Sequence, residues 1–145
     1  KFLQKESKEG LQNFDVYKNF AKRIITLKKS IPKFILKLKK TGKTVAAYGA
    51  AAKGNVLLQF CGINTTTIPF VVDKSPYKQG RLTPGTHIPV VALDHVAKER
   101  PDYLIILAWN FAKEIMDDLV EYSRSGGQYI VLLPQPKIIN KVRHK

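Results

Sequence analysis

The sequence predicts a doubly wound α/β fold with a mainly parallel sheet. Two observations carry this. From Thr44 onward, short apolar runs alternate with amphipathic stretches of helical spacing. The runs themselves (TVAAYG, IPFVVD, DYLIILAW) are apolar without alternation between their polar ends, as strands are when helices cover both sheet faces. At 145 residues the chain is long enough for one such domain with its own core.

The elements follow in order. Over 11–40, apolar residues recur at spacings of three and four (Phe14, Tyr17, Ala21, Ile24, Ile31, Phe34, Ile35, Leu38), predicting a long amphipathic helix. Pro32 is expected to kink or split it, with Ser30 capping the second piece and Gly42 ending it. Strands are expected at 44–49, 68–73, within 87–93, at 102–109 and at 128–133. Helices are expected at 54–62, 93–100 and 111–127, the last closed by Gly126 and Gly127. The result is a Rossmann-like sheet of about five strands preceded by a long basic N-terminal helix. The chain divides into a basic helical segment (1–43), the α/β domain (44–134) and a basic tail (135–145).

Composition narrows the function classes. One cysteine, Cys61, excludes an internal disulfide and a cysteine-based zinc site, and a reducing cytoplasm is expected. No apolar run approaches the roughly 20 residues of a membrane span. The opening KFLQKESKEG lacks the apolar core of a signal peptide. The chain starts at Lys1 and its single methionine is Met116, so a fragment of a longer protein is expected. The net charge of +14 is uneven, with 13 Lys/Arg against three acids in residues 1–43. A solvated helix face is the plain reading of that segment; nucleic acid, anionic lipid or an acidic partner domain are the alternatives.

In an open α/β sheet, ligands bind outside the carboxyl ends of the strands. Three loops leave such ends here: GAAAKGN after the first strand, DKSPYKQGRLTPGTH after the second, and WNF after the fourth. In the first, Gly49 and Gly54 bracket Ala51, which stands where a dinucleotide fingerprint has its middle glycine. It is not a P-loop either, since Asn55 follows Gly54 and Lys53 precedes it. What remains is a helix N-terminus with a lysine beside it, suited to a phosphate. A turn of small residues kept for packing is the alternative.

In the second loop, Asp73 lies 24 residues after Gly49, where dinucleotide sites keep a ribose-binding acid. Lys74, Lys78 and Arg81 follow among prolines and glycines, so the loop is not slack. His87 lacks a partner carboxylate or nucleophile nearby in sequence, so a structural or hydrogen-bonding role is expected. Trp109 and Asn110 end the fourth strand at the crevice, where Trp109 packs in the core or recognises a base or sugar.

Together, YGAAAKGN, VVDKSPYKQGRLTPGTHIPV, PDYLIILAWN and the lead-in FAKRI…LKK resemble the C-terminal domain of the S-adenosylmethionine-dependent sugar C-methyltransferases, over about residues 11–134. The resemblance implies a three-part enzyme, with zinc and S-adenosylmethionine in upstream domains and no cofactor in this one. It implies a nucleoside-diphosphate keto-sugar, typically dTDP-linked, as substrate and partner, beside the upstream methyltransferase domain. No catalytic residue of the family maps onto this chain; the isolated domain is expected to bind and not to methylate. Gly49, Ala51, Ala52, Lys53, Gly54 and Asn55 are then expected around the diphosphate, Lys78 and Arg81 to add charge, and Asp73, Tyr77, Thr86, His87 and Asn110 to contact nucleoside or sugar. An NAD-binding domain and a basic nucleic-acid-binding module are the rival readings; neither membrane nor nucleic acid is expected as a partner.

Overall fold

A computed structural model describes residues 1–139. Six strands form one sheet in the order β3-β2-β1-β4-β5-β6. They are β1 (Val45–Tyr48), β2 (Val71–Val72), β3 (Val90–Val91), β4 (Tyr103–Ile106), β5 (Gln128–Val131) and β6 (Lys137–Ile139). The first five are parallel, and β6 is antiparallel on the edge. The helices are α1 (Phe2–Lys8), α2 (Phe14–Lys40), α3 (Ala52–Phe60), α4 (Asp94–Glu99), α5 (Ala112–Asp118) and α6 (Val120–Arg124).

Strand residues alternate between two cores, because successive side chains leave opposite faces of a sheet. Val45, Ala47, Ile105 and Ile130 face a core closed by Ile31 and Ile35 of α2 and Leu58 of α3. Ala46, Tyr48, Leu104 and Ile106 face a second core closed by Val96 of α4, Ile115 of α5 and Tyr122 of α6. The fold is therefore a three-layer doubly wound domain, as predicted. Strand order reverses between β1 and β4. There α3 leaves β1 toward the first face and α5 leaves β4 toward the second, opening a crevice.

Asp102 fixes the amino edge of the central pair. Its carboxylate accepts from the Thr44 amide (2.8 Å), the Thr44 hydroxyl (2.9 Å) and the Lys43 ammonium (2.9 Å). The Asp102 amide donates back to Thr44 Oγ1 (2.9 Å). This reciprocal set sits immediately before the Val45↔Tyr103 register.

Four expectations change. Pro32 does not divide the first long helix: α2 runs unbroken from Phe14 to Lys40, and Ile31 and Ile35, on either side of the proline, are fully buried. Core packing there outweighs the lost backbone bond. Ser30 is not a cap; its hydroxyl donates to the Leu27 carbonyl, and Asn13 caps the helix instead by accepting from the Asp15 amide (2.9 Å). The helix expected over 111–127 begins with a 3-10 turn at Trp109–Phe111 and breaks at Leu119. The Leu119 carbonyl accepts from the buried Tyr129 hydroxyl (2.7 Å), a contact from β5 invisible in the local pattern. Finally, Lys137–Ile139, expected in the tail, pair with β5 as a sixth strand. The rest of the tail, 140–145, lies outside the described residues. Among the described residues no helix is long and apolar enough to cross a membrane.

Candidate functional site at the carboxyl edge of the sheet

The turn after β1 is built by Gly49 and Gly54. Gly49 has φ +91°, its amide donates to the Val72 carbonyl (2.8 Å), and a Cβ there would stand 3.3 Å from Ala108 Cβ. A Cβ on Gly54 would stand 2.7 Å from Leu107 Cβ, inside any normal contact. Gly54 thus lets α3 pack directly on Leu107, the residue that follows β4, the role the last glycine plays in nucleotide-binding turns of this kind.

The first turn of α3 lies at the switch point. Ala51 is its N-cap, and no side chain caps the helix. The amides of Ala52, Lys53 and Gly54 have no acceptor one turn back, because the helix starts there. Their dipoles favour an anion. Lys53 is exposed, and its ammonium has no acidic partner among the described residues. Asn55 follows in the same turn; its Oδ1 is buried and accepts no hydrogen bond among the described residues.

Asp73, after β2, is buried and committed to the protein itself. Its Oδ2 accepts from the Ala50 amide (2.8 Å) and the Lys78 ammonium (3.0 Å), and its Oδ1 from the Ser75 amide (2.8 Å). Gln79 Nε2 donates to the Asp73 carbonyl (2.9 Å). Asp73 therefore clamps the second loop onto the first. Lys78, whose charge was expected at the phosphate, stands in that clamp. Lys74 reaches the other way, to Asp118 of α5.

The second loop is rigid for further reasons. Gly80 donates to the Val90 carbonyl (2.9 Å) and Val90 to the Arg81 carbonyl (2.8 Å), while Leu82 bridges Pro89 in antiparallel sense, so this run covers the outer edge of β3. The Thr83 and Thr86 hydroxyls share a buried hydrogen bond (2.6 Å), and Thr83 Oγ1 also accepts from the Ile88 amide. Thr86 is thus largely buried and engaged with Thr83 inside the loop. His87 is exposed and adopts φ +53°, a left-handed turn position. Tyr77, Arg81 and Asn110 are exposed; Arg81 and Asn110 have no side-chain hydrogen bond or ion pair among the described residues. Gln59 of α3 ties the loop to the helix by donating to the Pro84 carbonyl (2.9 Å).

The geometry thus separates two groups. Gly49, Ala51, Ala52, Lys53, Gly54 and Asn55 gather in one turn. Asp73 joins them as the clamp, while Arg81 is held at the β3 edge. Sequence reasoning missed Tyr48, the last residue of β1, whose phenol is buried in the second core with its pKa raised by that burial. It also missed the clamp's partners Ala50, Ser75 and Gln79, whose contacts arise only when the two loops meet. Among the described residues no group of three or more His, Cys, Asp or Glu side chains converges to hold a metal ion.

The family described as the C-methyltransferase C-terminal domain matches residues 1–134. The chain is 37% identical over 138 residues to the C-methyltransferase NovU of Streptomyces niveus, an alignment covering 95% of this chain and 33% of that protein. The chain thus spans about a third of the length of the curated relative it matches. On this match, nearly end to end, the chain belongs to the C-methyltransferase C-terminal domain family.

Proposed function

We propose that this domain holds the sugar-nucleotide substrate of an S-adenosylmethionine-dependent C-methyltransferase, with the substrate diphosphate on the first turn of α3. The observation that carries the reading is the uncapped start of α3 at the switch point, with the unpaired Lys53 ammonium on the same turn. Backbone amides of Ala52, Lys53 and Gly54 meet phosphate oxygens, and Lys53 adds a charge. Asn55 Oδ1 accepts from a sugar hydroxyl or a base N–H. Asp73 and Lys78 act by fixing Ala50 and the second loop, so they position the cradle without touching the ligand. Tyr77, His87 and Asn110 form its exposed rim, and Arg81 adds charge from the β3 edge.

The dinucleotide alternative fares worse at two points. Ala51 carries a methyl group where the pyrophosphate of NAD needs a bare backbone. Asp73, which would bind the ribose, already accepts from three donors of its own protein. The methyl donor, zinc and the base that removes the proton next to the ketone belong, on this reading, to the upstream part of the enzyme. This domain alone binds and does not methylate.

Calorimetric titration with dTDP, a dTDP-keto-sugar, NAD and S-adenosylmethionine tests this. Binding of the two dTDP ligands only is the expected result. Binding of NAD only would refute the assignment of the cradle, and turnover with S-adenosylmethionine by the domain alone would refute the division of labour.

A further inference from the structure

We infer that the amino-terminal arm, α1 with the first two turns of α2, is the surface on which the upstream part of the enzyme docks. In α2 an apolar stripe runs through Tyr17, Phe20, Ile24, Leu27, Ile31 and Leu38 at spacings of three, four and seven. From Ile24 onward the domain lies beneath it, and Ile31 is fully buried. In the first turns the stripe continues but stays largely exposed among the described residues. Phe14, Tyr17 and Phe20 are 69%, 51% and 56% exposed, and Phe2 and Leu3 of α1 more so. The helix overhangs for a simple reason of length: 27 residues span about 40 Å, whereas four-residue strands such as β1 span about 13 Å.

The overhang is tied down only locally. Tyr17 Oη donates to the Leu11 carbonyl (2.8 Å), and α1 has no buried residue. Five large apolar side chains on so short an arm make a surface that a monomeric protein rarely leaves open. The stripe leads into an apolar cleft of about 470 Å³, lined by Phe20, Ile24, Leu27, Trp109, Leu133 and Pro134, with Arg23 at its rim. Trp109 and Leu133 follow β4 and β5, so this cleft opens at the carboxyl edge, on the same side as the α3 cradle.

Length and charge select the occupant. The relative NovU is about three times as long as its matched region, so an enzyme of this family has a large body beyond this domain to place. A second copy is disfavoured electrostatically: α2 carries nine Lys/Arg and one acid, and the chain is +14 overall. Like faces would repel. An upstream domain with an apolar patch rimmed by carboxylates complements the aromatics and the neighbouring exposed lysines, Lys22 and also Lys5 and Lys18, whose ion pairs to Glu9 (3.8 Å) and Asp15 (3.5 Å) are long and exposed. Docked there, it stands over the carboxyl edge of the sheet. The inference rests on family membership and not on the diphosphate assignment.

The test uses the full-length enzyme, mixed with an isotope-labelled copy and treated with a zero-length carbodiimide. Lys5, Lys18 or Lys22 should couple to carboxylates upstream of Lys1 in the same polypeptide. In the Phe14→Asp/Tyr17→Asp variant those couplings should be lost. Arm amides should then exchange with solvent about tenfold faster, while β1 and β4 amides keep their protection and report an intact fold. Lys53→Ala should leave the couplings unchanged, which separates docking from ligand binding. Couplings only between labelled and unlabelled copies, or an arm that exchanges freely in the unaltered enzyme, would overturn the inference. So would binding of the arm to anionic vesicles with no coupling upstream.

Discussion

Replacing Asp73 by asparagine separates a clamp from a ligand contact. The substitution keeps size and shape but sets an amide NH2, or one oxygen too few, against three donors. At least one of the Ala50 and Ser75 amides then lacks its acceptor in a part-buried place. An unsatisfied N–H of that kind costs about 1–3 kcal/mol. The lost ion pair to Lys78, itself part-exposed, adds about 0.5–1 kcal/mol after solvent screening. The sum is about 1.5–4 kcal/mol. For a domain of this size that lowers the melting temperature by about 5–12 °C. Urea and thermal unfolding of the Asp73→Asn domain read the effect directly. Sugar-nucleotide affinity should fall as well, because the first loop is no longer held. If Asp73→Asn unfolds at the unaltered midpoint and yet loses sugar-nucleotide binding, Asp73 is a ligand contact and the clamp reasoning is wrong.

Other perturbations bear on the cradle and on the amino edge. Lys53→Ala should weaken sugar-nucleotide binding about tenfold, or about 1.4 kcal/mol, with an unchanged unfolding midpoint because the side chain is exposed; titration calorimetry reads the first and urea the second. Gly54→Ala places a Cβ 2.7 Å from Leu107 Cβ, so α3 must lift from the sheet; a loss of about 1–3 kcal/mol in stability and weaker ligand binding are expected, and a neutral result would mean that the contact relaxes freely. The Asp102 carboxyl is held at about 2, below its ordinary 3.8, chiefly by the Thr44 amide and then by Lys43. A depressed folded pKa stabilises above the ordinary value and is lost as pH falls through the folded one. Stability should therefore decline between about pH 4 and pH 2 by about 1 kcal/mol, the Asp102 side chain being 35% exposed and screened. Asp102→Asn should be less stable at neutral pH and lack this decline, as urea midpoints across that range would show.

Much of this protein was legible in its sequence because the relevant physics is local. Unalternated runs such as DYLIILAW need cover on both faces, which already dictates a parallel sheet between helix layers. The turn Gly49–Gly54 declared itself by spacing, since a strand can pass into a closely packed helix there only through residues without bulk. The family was readable from the same loops. What the sequence could not determine was how distant groups spend their hydrogen bonds. Asp73 reads as a ribose acid until β1 and β2 lie side by side; then the nearest donors are Ala50, Ser75 and Lys78, and its acceptor capacity goes to them. Thr86 reads as a polar contact until Thr83 is found beside it. Pro32 reads as a break until the core beneath Ile31 and Ile35 keeps the helix continuous past it, and Leu119 reads as mid-helix until Tyr129 arrives from β5. Periodicity and turn chemistry act within a few residues and so are written along the chain. Hydrogen-bond partnership and burial are settled between segments far apart in sequence, and only the folded sheet decides them.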